Sequence, residues 1–336
     1  MLKMHRIVIS FLLPVFLLAS ITGCAPISQG AVGPGNASGK TIHFGYITAD
    51  QLHSPAVMIM KEKKLLEAEG FNVIWHEYIA GTHAIQDMVS GKIDFASCGV
   101  TPIIISRSQG AGPVILAGSN REGSSLIVAD DIKSILDLDG KTIATPGPGS
   151  IQDAMATLLA MENGITIRHT TIEVTDMPVF LKKGEIDGFI AWAPHPAYAV
   201  SQKLGHELLT SGDILPGHQC CVLAAMEDSV KNGRDTVYKV LEVYLDAYVW
   251  FLENPEESIE IMVKTTGINE KIIHRAISTV NYTYPPYCNA DSIKSMARSL
   301  AEAGRIIINT DTPDTFVESI YLPELMDAIT AGGRPD

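Results

Sequence analysis

Two stretches of this chain are built to one plan, and that plan narrows the folds open to it. The first runs Gly91-Lys92-Ile93-Asp94-Phe95-Ala96-Ser97-Cys98-Gly99-Val100-Thr101-Pro102. The second runs Gly184-Glu185-Ile186-Asp187-Gly188-Phe189-Ile190-Ala191-Trp192-Ala193-Pro194-His195-Pro196. Each opens on a glycine able to cap a helix, passes through a charged residue and Ile-Asp into an apolar run fit for a buried parallel strand, and ends in a proline-bearing loop suited to starting a helix. Both are expected as strand, site loop, helix. Gly-x-Ile-Asp is also an ordinary helix-to-strand junction, so the spacing around it decides. Gly70 lies 21 residues before Gly91, and Gly164 lies 20 before Gly184; a further strand precedes each, at 41–47 and 142–145. The chain therefore reads as two similar α/β units of about 80 to 95 residues, an ordinary domain size. Loops at the carboxyl ends of their strands place a ligand in the crevice between them.

With 336 residues, 46% of them hydrophobic, there is material for two domains. Residues 1–23 read as a secretory signal: Lys3 and Arg6 precede an apolar run that is too short, and too interrupted by Pro14, Ser20 and Thr22, for a permanent membrane span. Ile21-Thr22-Gly23-Cys24 resembles the lipobox of secreted lipoproteins, which makes Cys24 the expected lipidation site. Residues 24–40, rich in Gly, Pro, Ser and Asn, suit a flexible tether. Removing Lys3 and Arg6 from the 25 basic residues, against 38 acidic ones, takes the formal charge from −13 to −15. With no basic run, nucleic acid is not expected as a partner. Neither a disulfide scaffold nor a Cys-x-x-Cys metal motif is present, and adjacent Cys220 and Cys221 are expected as buried, inert thiols.

The remaining order follows from breakers and periodicity. A helix is expected from Pro55 to Gly70, then strand, helix, and the first repeat. Residues 120–125 look like a crossing into the second unit and 216–221 like the return. After Asp228 helices follow one another, at 235–252, from Pro255, at 269–280 and at 291–303, and are expected to cover the first unit.

Three segments together resemble the substrate-binding proteins of nitrate, sulfonate and taurine uptake systems, with thiamine-pyrimidine precursor binders close by. They are Gly-x-Ile-Asp with Thr101-Pro102; Lys141-Thr142-Ile143-Ala144-Thr145-Pro146-Gly147-Pro148-Gly149-Ser150; and Phe189-Ile190-Ala191-Trp192 with Pro194. The resemblance spans about 42–225 and implies a periplasmic-binding-protein-like (type 2) fold: two α/β lobes, 41–120 with 221–336 and 121–220, joined by two hinge crossings, with extra carboxyl-terminal helices. It also implies an extracytoplasmic, lipid-anchored monomer that captures a small solute and hands it to an ATP-driven permease and its ATPase, without being an enzyme.

The pocket is expected on the strand-end loops. In the first lobe these offer Gln51, His53, Ser54, Gly81, Thr82, Gly99 and Thr101. In the second they offer Gly149, Ser150, Gln152, Asp176, Trp192 and His195, with Gly217, His218 and Cys220 near the return crossing. No catalytic residue, cofactor or metal ligand is expected. Among these loops Arg121 is the one fixed cation, which favours a singly charged oxyanion, a sulfonate or a small polar heterocycle over a doubly charged anion. Two alternatives stay open. One is an enzyme of the pyrimidine-precursor-synthase type, for which His195, His218, Cys220 and Cys221 are available. The other is metal capture by His53, His83, His195 and His218.

Overall fold

The structure, a computed structural model, describes residues 39–308 and 312–332. The expected signal, Cys24 and the tether up to residue 38 lie outside the described residues. From 41 to 122 strand and helix alternate: β1 (Thr41–Ile47), α1 (Pro55–Glu62), α2 (Leu65–Ala68), β2 (Asn72–Tyr78), α3 (Gly81–Val89), β3 (Phe95–Gly99), α4 (Val100–Ser108) and β4 (Pro113–Glu122). A second run follows: β5 (Ser124–Val128), β6 (Lys141–Thr145), α5 (Ile151–Asn163), β7 (Ile167–Thr171), α6 (Met177–Lys183), β8 (Gly188–Trp192), α7 (His195–Ser201), β9 (His206–Thr210) and α8 (Ser211–Ile214). The chain returns through β10 (Gln219–Met226) to α9 (Glu227–Asn232), α10 (Arg234–Glu253), α11 (Pro255–Thr266), α12 (Glu270–Ile277), β11 (Val280–Asn281), α13 (Ala290–Glu302), α14 (Pro313–Glu318) and α15 (Pro323–Thr330).

The strands form two sheets, ordered β11-β4-β10-β3-β1-β2 and β7-β6-β8-β5-β9. Apart from β11 the orders match, with β2, β1 and β3 standing where β7, β6 and β8 stand. Those three pair in parallel in each sheet. The fourth place is taken by the strand that has just crossed over, β10 in one sheet and β5 in the other, antiparallel to both its neighbours. Each lobe thus completes its sheet with a strand delivered by a crossing, and the two crossings touch. Glu122 accepts the Gly217 N–H at 2.6 Å through Oε1 and donates its own N–H to the His218 carbonyl at 3.2 Å.

The repeat has a structural job. The Asp94 carboxylate accepts the His43 N–H at 2.8 Å while the Asp94 N–H donates to the His43 carbonyl at 2.8 Å. Asp187 does the same to Thr142, at 2.7 and 2.9 Å. In both lobes this clamp sets the register in which β3 lies against β1, or β8 against β6. Gly91 and Gly184 precede the clamps with φ of 77° and 73°, the left-handed backbone that ends the preceding helix.

Two expected helices differ. The one expected from Pro55 to Gly70 breaks after Lys63, because Lys64 adopts φ 53°, and resumes as α2. The one expected at 269–280 ends at Ile277; Val280, 5% exposed, instead joins the sheet opposite Glu122. The carboxyl-terminal helices do cover the first lobe, α10 against α1 and α13 against α4 and β10, but α12 packs on α7 of the second. Tyr244 and Tyr248 anchor this cover by donating their buried hydroxyls to the carbonyls of Gly118 and Ser119, each at 2.8 Å.

Candidate functional site

Helices α3, α4 and α5 begin at the crevice between the sheets, because each is reached from the carboxyl end of a strand, α4 directly and α3 and α5 through short loops. Gly99 turns β3 into α4 with no linker. Before α5, Ser150 caps the helix by accepting the Asp153 N–H at 3.1 Å. Gly149 is fixed by both backbone and space: its φ is 83°, and a Cβ there would meet Ile105 and Thr82 of the first lobe at 3.2 Å each. The outer crevice is a cavity of about 500 Å³ lined by Thr82, Thr101 and Pro102 on one side, Gly149, Ser150 and Asp153 on the other, and Arg305. An inner pocket of about 30 Å³ is lined by Asp50, His53, Gly81, Gly99, Cys220 and Cys221 of the first lobe and by Ser150, Gln152 and Trp192 of the second.

Trp192, His195 and Arg305 are among the side chains that bridge the lobes at the crevice. Trp192 donates its indole N–H to the Ala49 carbonyl at 2.7 Å, and His195 reaches the same oxygen through Nε2 at 3.2 Å. Burial brings His195 down to about 4, against the pull of the Ala49 carbonyl, so the ring is neutral and Nε2–H is the donor. Arg305, just after α13, bonds Asp153 Oδ2 at 3.1 Å, and His169 holds Oδ1 of the same carboxylate at 2.8 Å. Gln152 donates to Ser124 Oγ at 2.9 Å. The Thr101 hydroxyl, fully buried at the start of α4, has no hydrogen-bond partner.

The floor of the inner pocket carries the chemistry. Cys220 Sγ lies 3.4 Å from His53 Nδ1 and 3.9 Å from Cys221 Sγ, and Cys221 Sγ lies 3.5 Å from Asp50 Oδ2. His53 Nε2 meets the Gly123 carbonyl at 3.1 Å. Burial pulls His53 down, but the charges of Cys220 and Asp50 and the hydrogen bonds to Cys220 and the Gly123 carbonyl outweigh it and hold the ring up at about 9. The hydrogen bond from Cys221 takes Cys220 well below the usual thiol value. Burial lifts Asp50 to about 7.

Of the residues expected at the site, His53, Gly81, Gly99, Ser150, Gln152, Trp192 and Cys220 line the inner pocket and Thr82, Thr101 and Gly149 the outer cavity. His195 stands behind Trp192, ring centroids 6.3 Å apart. Gln51 and Ser54 face a different cavity, of about 320 Å³. The segment coils into a helical turn, in which the Ser54 N–H bonds the Asp50 carbonyl at 3.2 Å; Asp50 reaches both spaces, whereas His53 lines only the inner pocket and Gln51 and Ser54 only this cavity. Gly217 sits in the return crossing under Glu122. His218 is buried there, its Nδ1 on the Leu215 carbonyl at 2.7 Å and its Nε2 without a partner. Asp176 is exposed ahead of α6 and lines neither part of the crevice. Arg121 lines neither part, its guanidinium directed to the Tyr287 carbonyl at 3.5 Å. The cation in the outer lining is Arg305, which sequence reasoning missed together with Asp50 and Cys221. Asp50 was recoverable from its i, i+3 spacing to His53.

Several known proteins resemble the chain at low sequence identity. It is 23% identical over 290 residues to the taurine-binding periplasmic protein of Escherichia coli K12, a match covering 80% of this chain and 89% of that one. The periplasmic nitrate-binding protein NrtA from Synechocystis PCC 6803 superposes with a TM-score of 0.72 at 17% identity, over 88% and 89% of the two chains. The desulfurization enzyme DSZB superposes with a TM-score of 0.64 at 12% identity, over 87% and 99%. The architecture is the periplasmic-binding-protein fold, and it carries both binders and an enzyme. Residues 35–266 match the model of the NMT1-like family, and by that match, which takes in both lobes and the floor of the crevice, the chain belongs to the NMT1-like family.

Proposed function

We propose that the chain is the solute-capturing component of an ATP-driven importer, and that its solute is a small polar or singly charged compound bearing an oxyanion head, such as a sulfonate or nitrate, or a pyrimidine-like ring. The observation that carries this is the buried, unpartnered Thr101 hydroxyl in a cavity on which the starts of α3, α4 and α5 converge from both lobes. Helix starts present amide hydrogens and favour negative charge, and the volume of about 500 Å³ suits a small ligand. The taurine- and nitrate-binding relatives support the same solute class. A ligand touching both lobes favours the closed form by its differential affinity, which turns binding into a shape signal for a permease and its ATPase.

The pocket set proposed is His53, Gly81, Thr82, Gly99, Thr101, Gly149, Ser150, Gln152, Trp192 and Cys220, backed by His195, with Thr101, Ser150 and Gln152 at its centre; Gln51, Ser54, Asp176, Gly217 and His218 stand outside it. We further propose a monomer, lipidated at Cys24 behind a signal at 1–23 and held outside the cytoplasmic membrane, with lobes at 41–120 plus 221–336 and at 121–220. The Cys220–His53 pair is what a thiol-dependent enzyme would use, and it gives the catalytic alternative its footing. One experiment separates the two: calorimetry with taurine, alkanesulfonates, nitrate and pyrimidines, followed by recovery of the bound compound. Micromolar binding of an unaltered solute, weakened at least tenfold by Thr101→Val, is expected. Turnover of the solute would replace this reading with the catalytic one.

A further inference from the structure

The floor of the crevice holds a donor set that solute capture alone does not require. Cys220 Sγ, Cys221 Sγ and one ring nitrogen of His53 all lie within 4.8 Å of one another, and all three residues are buried. Tetrahedral coordination with metal–sulfur bonds of about 2.3 Å and metal–nitrogen bonds of about 2.0 Å separates two sulfurs by roughly 3.8 Å and a sulfur from a nitrogen by roughly 3.5 Å. The observed separations are 3.9 Å between the sulfurs and 3.4 Å between Cys220 Sγ and His53 Nδ1. A disulfide needs its sulfurs about 2 Å apart, so the pair is spaced to share an ion and is too far apart to be bonded.

The surroundings agree. Metal-bound histidines ordinarily donate their second ring N–H to a carboxylate or a backbone carbonyl, and His53 Nε2 has the Gly123 carbonyl at 3.1 Å. That contact directs Nδ1 at Cys220. Asp50 is 4% exposed, and its Oδ1 has no hydrogen-bond partner although it stands 3.6 Å from His53 Nδ1. Its other oxygen lies 3.5 Å from Cys221 Sγ. A buried carboxylate with one unsatisfied oxygen is costly; the protonated His53 ring 3.6 Å away compensates it in the metal-free protein, and an ion bound at Nδ1 would take over that role. The three donors line the inner pocket along with Asp50, Gln152 and Trp192, so the fourth position opens on the crevice. Soft thiolates with an imidazole select zinc(II) or copper(I) over magnesium or calcium.

We propose that Cys220, Cys221 and His53 form a binding site for one thiophilic transition-metal ion of the zinc(II) type, with the Asp50 carboxylate beside it and the fourth coordination position open to the crevice. On binding, the proton on His53 Nδ1 and any remaining thiol proton leave to solvent. The site needs no oxyanion, although His53 and Cys220 also belong to the proposed solute pocket, so metal binding is measured without solute.

The test uses the full chain, reduced and freed of metal, with no solute present. Titration with cobalt(II) is expected to give a thiolate-to-cobalt charge-transfer band and tetrahedral d–d bands that saturate at one equivalent. Zinc(II) should displace the colour and raise the thermal midpoint. Cys220→Ser, Cys221→Ser and His53→Gln should each weaken binding at least tenfold, and Cys98→Ser and Cys288→Ser should leave it within twofold. Absence of a charge-transfer band in the unsubstituted chain overturns the proposal whatever the variants do. So does cobalt or zinc binding that survives Cys220→Ser and Cys221→Ser unchanged.

Discussion

The indole N–H of Trp192 and the carbonyl oxygen of Ala49 are 2.7 Å apart, and that one bond joins the end of β8 in the second lobe to the loop after β1 in the first. A net stabilisation of about 0.5 to 1.5 kcal/mol is usual for such a bond. In a hinged protein most of it acts on closure, since the open form replaces it with water. Trp192→Phe keeps most of the apolar wall and removes the donor. Solute affinity is expected to fall several-fold to about tenfold, by the same energy, with a larger radius of gyration in solution scattering. Unchanged affinity would show that the bond does not contribute to closure.

His195 donates to the same carbonyl and adds a pH dependence. Burial lowers it from 6.5 to about 4, and the charge of His53 pushes the same way. A depressed base is neutral in the folded, closed form while the exposed form takes up a proton, so stability is fully present above about 6.5 and is lost as pH falls through about 4. The loss is at most roughly 3 kcal/mol over that window. His195→Gln keeps a donor without the titration. The thermal midpoint of the variant should therefore fall less steeply than that of the parent between those limits, and parallel profiles would remove His195 as the cause.

Gly123 lies in the first crossing with φ 92°, and a Cβ there would meet His53 Nε2 at 2.6 Å and Val280 at 2.9 Å. Gly91 has a similar φ of 77° but open space around it. Gly123→Ala thus carries backbone strain and overpacking, on the order of 2 to 4 kcal/mol, and Gly91→Ala carries strain alone, about 1 kcal/mol. Urea denaturation of the two variants should rank them in that order, with only Gly123→Ala displacing His53.

The repeated Gly-x-Ile-Asp that carries Asp94 and Asp187 was legible in the sequence, and with it the two α/β runs; the clamp that the carboxylates make was not read from it. Repeats are legible because the same local problem, starting a central strand after a left-handed turn, has the same local answer. Asp94→Ala and Asp187→Ala should each cost about 1 to 2 kcal/mol, the value of a hydrogen bond to a charged group discounted for partial exposure. Chemical denaturation should show similar losses for both. What the sequence hid is non-local. Gln51 and Ser54 were expected at the site and Asp50 was not; the loop after β1 coils into a turn that brings Asp50 to the inner pocket beside His53. Cys221 was expected as a buried thiol, available to the catalytic alternative but not named in the pocket; it reaches the pocket because the strand alternation that separates neighbours is interrupted there: the pairing of β10 with β4 shifts register between Gln219 and Cys221, and again between Cys221 and Val222, and both sulfurs remain on the pocket.

Arg305 is the clearest case of a residue no local pattern could place. It follows α13, which packs on α4 and β10 of the first lobe, yet its guanidinium bonds Asp153 Oδ2 at 3.1 Å and Thr157 Oγ1 at 3.0 Å on α5 of the second. The bond lies along the outer cavity, so it acts when the lobes are closed and must break before solute leaves. Arg305 is 38% exposed at its side chain whereas Asp153 is 6% exposed, so the contact is worth more than a surface ion pair and less than a buried one. Arg305→Gln should leave the association rate within about twofold and raise the dissociation rate several-fold to about tenfold, the pattern of a contact made after encounter. Trp192, standing between the lobes, serves as the fluorescent reporter in a stopped-flow measurement. If association slowed while dissociation held constant, Arg305 would be steering the solute inward from the open crevice, and the closed-state contact with Asp153 would be incidental to capture.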